Sequence, residues 1–147
     1  GVVNAESGYA NGRGRELANY TAVCTGLTGF RETVKVEYDD EVVSLETLLA
    51  AYFAVIDPTL INRQGMDMGT QYQTGIYYTD EVSRAIVERM AAEERKKHPR
   101  FYVELRSLEN FYPAEEYHQD YLIKNPHGYC HISPAKMAQV RAMVGNE

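Results

Sequence analysis

The stretch "ETVKVEYDDEVVSLETLLAAYFAVIDPT", residues 32–59, changes its hydrophobic period part-way along, and that change decides the fold class. Val34, Val36 and Tyr38 alternate with charged neighbours, the period of a half-buried strand. From Ser44 onward the spacing becomes helical: Leu48, Leu49, Tyr52, Phe53 and Ile56 share a stripe, Ser44 stands where a cap belongs, and Pro58 lies just beyond. The same alternation of element types continues downstream. "QTGIYY" (73–78) reads as a strand, and "TDEVSRAIVERMAAEERKK" (79–97) as a second helix, capped near Thr79, with Val82, Ala85, Ile86 and Met90 on one face. "FYVELRSL" (101–108) is a further strand, and "PAEEYHQDYLIK" (113–124) a short helix before a tail rich in Gly, Pro and His. Upstream, "GVVNAES" (1–7) opens as a short apolar strand, and "GYANGRGRELANY" (8–20) is too polar and glycine-rich to be regular.

The order is strand, strand, helix, strand, helix, strand. One strand and one helix placed in front would turn it into the βαββαβ unit of a ferredoxin-like two-layer sandwich, an α+β fold with an irregular C-terminal tail. The expectation is therefore a single domain over 1–147, N-terminally incomplete, with its first strand and helix missing.

Composition narrows the chemistry. At 147 residues, 44% hydrophobic and 24% charged, the chain is long enough for one domain with a real core. A formal charge of -6, with like charges only in short clusters such as "ERKKH" (94–98), argues against a nucleic-acid surface. No apolar run approaches the roughly 20 residues of a membrane span, and no signal peptide opens the sequence, so a soluble cytoplasmic protein is expected. Two cysteines, Cys24 and Cys130, are too few for a disulfide scaffold and miss the spacing of a zinc site. They are either inert thiols or redox chemistry. Tyrosine is over-represented, 12 against 4 Phe and no Trp. Most such rings belong to half-buried sheet positions, but a buried phenol needs a hydrogen-bond partner, so this many also prompts a search for a pocket lined with hydroxyl donors.

Three segments, "NYTAVCTGLTGFRETVKVEY" (19–38), "NRQGMDMGTQYQTGIYY" (62–78) and "YHQDYLIKNPHGYCHI" (117–132), in this order and spacing resemble the A-type peptide-methionine sulfoxide reductases, MsrA. The resemblance runs from "GVVNAESGY" to "GYCHI", while the family's signature Gly-Cys-Phe-Trp, which carries its nucleophile, is not in the sequence. The resemblance implies reduction of methionine S-sulfoxide by thiol chemistry, without a prosthetic cofactor, with a thioredoxin-like dithiol as reductant and oxidised proteins or peptides as substrates. It also implies roles. Glu32 is the acid, Tyr20 and Tyr72 are the phenols on the sulfoxide oxygen, and Asp67 and Tyr121 contact substrate. Cys130 is the recycling thiol, and Cys24 is a spectator. A monomer is expected.

The chemistry suits these types. Oxide is a very poor leaving group, so the sulfoxide oxygen has to be polarised and protonated as a thiolate attacks sulfur. A carboxyl that holds its proton near neutral pH has to be buried against apolar or aromatic walls. The family has His-Ala where this chain has Phe30-Arg31, and Arg31 would depress Glu32 if the two touched; neighbours on a strand point to opposite faces. Taken singly, Glu32 reads as a solvated strand-end carboxylate and Asp67 as a turn-stabilising Asp. Two rival readings remain. One is a metal site from His118, His127, Cys130 and His131, whose spacing matches no known finger. The other is a catalytically dead module of the same fold that holds a methionine-containing peptide.

Overall fold

The computed structural model describes residues 1–119. Strand β1 (Val2–Ala10) pairs antiparallel with β2 (Arg31–Tyr38), setting Ala5 opposite Val36, Ser7 opposite Val34 and Tyr9 opposite Glu32. On its other edge β1 takes a short antiparallel strand, Phe111–Pro113, with Tyr9 opposite Tyr112. A small helix α1 (Tyr20–Val23) lies in the connection from β1 to β2. After β2 come helix α2 (Leu45–Val55) and a two-residue ribbon, β3 (Arg63–Gln64) with β4 (Asp67–Met68). Strand β5 (Gly75–Tyr78), helix α3 (Glu81–Arg95) and strand β6 (Glu104–Ser107) form a βαβ unit whose two strands are parallel, and Phe111–Pro113 is β7.

The helices form for the reasons read from the sequence. Ser44 Oγ accepts from the Thr47 N–H at 3.1 Å, and Asp80 Oδ1 from the Ser83 N–H at 2.7 Å. The second cap is thus Asp80 rather than Thr79. Between α2, α3, β5 and β6 lies the main core of Leu49, Phe53, Val87, Ala91 and Val103. Tyr52 packs on it and satisfies its hydroxyl by donating to the Gly75 carbonyl at 2.8 Å. A second core, Tyr9, Val23 and Phe30, sits beneath the β1–β2 connection, and Tyr112 meets Phe30 edge-on with ring centroids 5.9 Å apart. Gly12 is required here, because a Cβ at that position would fall 2.1 Å from the Phe30 ring.

Several expectations are corrected. β1 continues to Ala10, through residues expected to be loop, because both β2 and β7 pair with Gly8, Tyr9 and Ala10. Local glycine content is overridden by tertiary pairing. On β2 the expected burial is reversed at the valines but holds at Tyr38, which is half-buried: Val34 is 57% exposed and Val36 43%, while Arg31, Thr33 and Lys35 are half-buried. The charged stems are covered by specific partners, Arg31 by Glu104 and Lys35 by the Phe111 ring. On α3, Val82 and Ala85 face solvent and Val87 and Ala91 are buried, so the stripe is rotated toward α2. Of the expected helix over 113–124, the described part is the end of β7 and one 3-10 turn, Glu116–His118. The architecture is mixed α and β, and the described strands form three small sheets, β2-β1-β7, β3-β4 and β5-β6.

Candidate active site

Glu32 is on β2 directly opposite Tyr9. Its neighbour Arg31 turns to the other face and bonds Glu104 Oε1 through Nε at 2.8 Å, so the guanidinium leaves the Glu32 carboxyl alone. The single turn Thr70–Tyr72 then brings a phenol beside that carboxyl, close enough for each to shift the other's proton affinity. Two bonds hold this turn. Thr70 Oγ1 donates to the Gly26 carbonyl at 2.8 Å, and the Gly69 N–H to the Asn62 carbonyl at 2.9 Å. The β3–β4 ribbon supplies Asp67, whose charge reaches both Glu32 and Tyr72.

These contacts set the proton affinities. Glu32 is exposed as a residue, yet its carboxyl is crowded, and desolvation pushes its pKa above the ordinary carboxylate value. The Asp67 charge adds to the rise, and the Tyr72 hydrogen bond works against it. Burial, then Glu32 and Asp67, raise Tyr72 well beyond the usual phenol range, so it is a fixed donor near neutral pH. Tyr20, at the start of α1, is raised first by its hydrogen bond with the Cys24 thiol and also by the Glu32 charge.

A second carboxyl, which the sequence reading did not single out, anchors the opposite wall. Glu115, just after β7, accepts from Tyr9 Oη at 2.9 Å, from the Tyr20 backbone N–H at 3.1 Å and from Tyr117 Oη at 3.2 Å. Burial pulls its pKa up, but its own N–H and these bonds outweigh burial and hold it below the ordinary value. Two carboxyls therefore flank a group of phenols, one biased toward keeping its proton and one toward permanent ionisation. The two carboxyls thus differ in the direction of their proton affinity, one raised and one lowered. Only a clustering of Tyr with "PAEE" in the sequence hinted at Glu115, and it gave no sign of the contact with Tyr9, 106 residues away.

The described residues thus bring together Glu32, Tyr20, Tyr72 and Asp67. Tyr121 and Cys130, like the proposed metal donors His127 and His131, lie outside the described residues. Among those described, no group of three or more His, Cys, Asp or Glu is placed to hold a metal ion. Cys24 is an exposed free thiol against Tyr20, nearer the phenols than its reading as a spectator implied. A cleft of about 600 Å³ between α2 and α3, lined by Ala50, Phe53, Met90 and Glu93 among others, contains none of these groups.

The family model described as peptide methionine sulfoxide reductase matches residues 1–146. The chain belongs to that family. It is 53% identical over 133 residues to the peptide methionine sulfoxide reductase MsrA of Clostridium acetobutylicum, covering 90% of this chain and 82% of that protein. The MsrA of Clostridium botulinum is 47% identical over 133 residues, with 90% and 84% covered. Among solved structures, reduced Mxr1 from Saccharomyces cerevisiae superposes with a TM-score of 0.83 at 34% identity, over 90% of this chain and 77% of that one. Methionine sulfoxide reductase A of Corynebacterium diphtheriae gives 0.76 at 36%, over 88% and 67%. Membership makes this chain an enzyme of the methionine sulfoxide reductase type, acting on oxidised methionine. No described helix is long and apolar enough to cross a membrane.

Proposed function

We propose that the protein reduces methionine S-sulfoxide, free or in proteins, with Glu32 as proton donor and Tyr20 and Tyr72 as the hydroxyls on the sulfoxide oxygen. The observation that carries this reading is the crowded Glu32 carboxyl beside the Tyr72 phenol, its pKa raised by desolvation and by the Asp67 charge. As a thiolate attacks sulfur, Glu32 protonates the departing oxygen, leaving methionine and a sulfenic acid. Asp67 holds substrate at the rim and sustains the Glu32 proton affinity through space. Tyr121 contacts substrate from the following segment. Cys130 condenses with the sulfenic acid, expelling water and forming a disulfide that a thioredoxin-type dithiol opens. The enzyme works as a monomer in the cytoplasm, in repair of oxidised proteins.

In this reading the nucleophile comes from a strand and helix bearing the family's Gly-Cys-Phe-Trp, which complete a ferredoxin-like sheet between β2 and β5. In the order that results, β6-β5-strand-β2-β1-β7, every neighbour seen among the described strands is kept. The exposed Val34 and Val36 supply an apolar face for the added helix.

Full-length protein with that signature should reduce a methionine S-sulfoxide peptide with a dithiol, and Glu32→Gln should lose far more rate than Asp67→Asn, because only Glu32 passes a proton in the transition state. Equal losses would mean that acid and rim have been exchanged. Peptide binding without turnover by the full-length protein would instead favour the inactive binding module.

A further inference from the structure

The rim ribbon carries two side chains that the reaction does not use. Met66 is 81% exposed and Met68 73%, whereas Asp67 between them is half-buried and turned toward Glu32 and Tyr72. The cause is the ribbon geometry. β3 and β4 are two residues each, paired Arg63 to Met68 and Gln64 to Asp67, and the turn closes at Gly65, whose φ of 57° is the left-handed conformation that glycine tolerates. Met68 follows Asp67 on β4, so alternation turns it outward when Asp67 faces inward, while Met66 stands out from the turn itself. Two thioethers thus stand in solvent on a narrow projection beside the site of an enzyme for oxidised methionine. Met90, by contrast, packs against the main core.

We propose that Met66 and Met68 form a paired oxidation site, converted to sulfoxides by hydroperoxides and returned to thioethers by the active site of a second copy of the same protein. In the first step, once for each methionine, the O–O bond of one hydroperoxide breaks, its terminal oxygen passes to the thioether sulfur, and one water or alcohol leaves. In the second, a thiolate of the second copy takes that oxygen as sulfenic acid and dithiol reductant regenerates the thiol with loss of water. Repair within one copy would require the ribbon to fold back over its own site, whereas both side chains stand largely in solvent. A short exposed turn is the form of substrate that another copy's pocket can admit. The repair step rests on the proposed function; the oxidation step does not.

The two steps are read separately by brief treatment of the full-length protein with hydrogen peroxide, followed by tryptic digestion. Met66 and Met68 fall in the peptide from Gln64 to Arg84 and Met90 in that from Met90 to Arg95. The first peptide should gain oxygen several-fold faster than the second; equal rates would overturn the paired site. Addition of a small amount of unoxidised enzyme with a dithiol should then reverse about half of the gain, since one enzyme serves one sulfoxide epimer, at a rate proportional to the enzyme added. A synthetic methionine sulfoxide peptide is run in parallel. Failure on both substrates would overturn the proposed function, whereas repair of the synthetic peptide with no repair at residues 66 and 68 would overturn the present inference alone.

Discussion

At the residue scale the proposed reaction turns on one proton, and opposing neighbours set the affinity of the Glu32 carboxyl for it. Desolvation and the Asp67 charge favour the acid form, while the Tyr72 hydroxyl favours the carboxylate. In the proposed mechanism the acid form of Glu32 is consumed, so kcat/KM is expected to fall as pH rises through the Glu32 pKa. The two neighbours then predict opposite displacements of that limb. Asp67→Asn removes an upward push and moves the limb to lower pH; Tyr72→Phe removes a downward pull and moves it to higher pH, with a lower plateau because one donor is gone. Profiles of the two variants that shift the same way, or not at all, would remove Glu32 from the role of acid. Legibility at this scale was uneven. Glu32 and Tyr72 were singled out only by the family resemblance of the segments around them, with Phe30-Arg31 a departure from it, and the turning away of Arg31 followed from strand alternation. Glu115 was not, since its three donors come from residues 9, 20 and 117, and nothing local distinguishes it from Glu116.

At the scale of elements, α1 poses the sharpest question, because a helix of four residues cannot sustain itself. It is held by Asn19, whose side chain accepts from the Ala22 N–H at 2.9 Å, and by Glu115, which takes the Tyr20 N–H. Tyr20 is therefore placed by the loop after β7 as much as by its own turn. Glu115→Ala is expected to lower the rate of sulfoxide reduction about tenfold or more, in the range that small misplacement of a reacting group costs. It should also cost ~1–3 kcal/mol of stability, because the hydroxyl of Tyr9, a residue only 2% exposed, loses its partner. Glu115→Gln keeps an acceptor oxygen and should restore most of both. Kinetics and thermal melts on the pair check this, and an alanine variant with unchanged rate and melting would show that α1 stands without Glu115. The same comparison explains which elements the sequence revealed. α2 and α3 have caps and an apolar stripe over three or more turns, so local signals suffice. α1, the β3–β4 ribbon and β7 have two to four residues each, too few for any period, and exist only through contacts made across the chain.

At the scale of the whole molecule, the sequence supplied the order of elements but not their pairing, because a strand's period says which face is apolar and nothing about its neighbour. The antiparallel β1–β2 and the parallel β5–β6 are both compatible with the same string of strands and helices. That pairing gathers residues 20, 32, 67 and 72 into one site, and the chain then leaves it through Gln119, whose side chain bonds the Ser7 N–H and carbonyl at 2.9 and 2.8 Å and ties the start of the C-terminal segment to β1. The segment that follows carries Cys130, so in the proposed mechanism the two half-reactions draw on different stretches of the sequence. In full-length enzyme, Cys130→Ser should accordingly leave the first turnover intact, one methionine per enzyme at the normal rate, since the nucleophile, Glu32 and the phenols are unaltered. Steady-state recycling by thioredoxin should be lost, because no disulfide forms for it to attack, and a small thiol that reaches the sulfenic acid directly should restore part of it. Cys24→Ser, which keeps a hydroxyl beside Tyr20, should alter neither phase. The measurement is a single-turnover burst followed by steady state for each variant. A burst that vanishes in Cys130→Ser would make that thiol the primary nucleophile, and sulfoxide reduction would then have to be driven from the C-terminal segment rather than from a strand and helix beside β2.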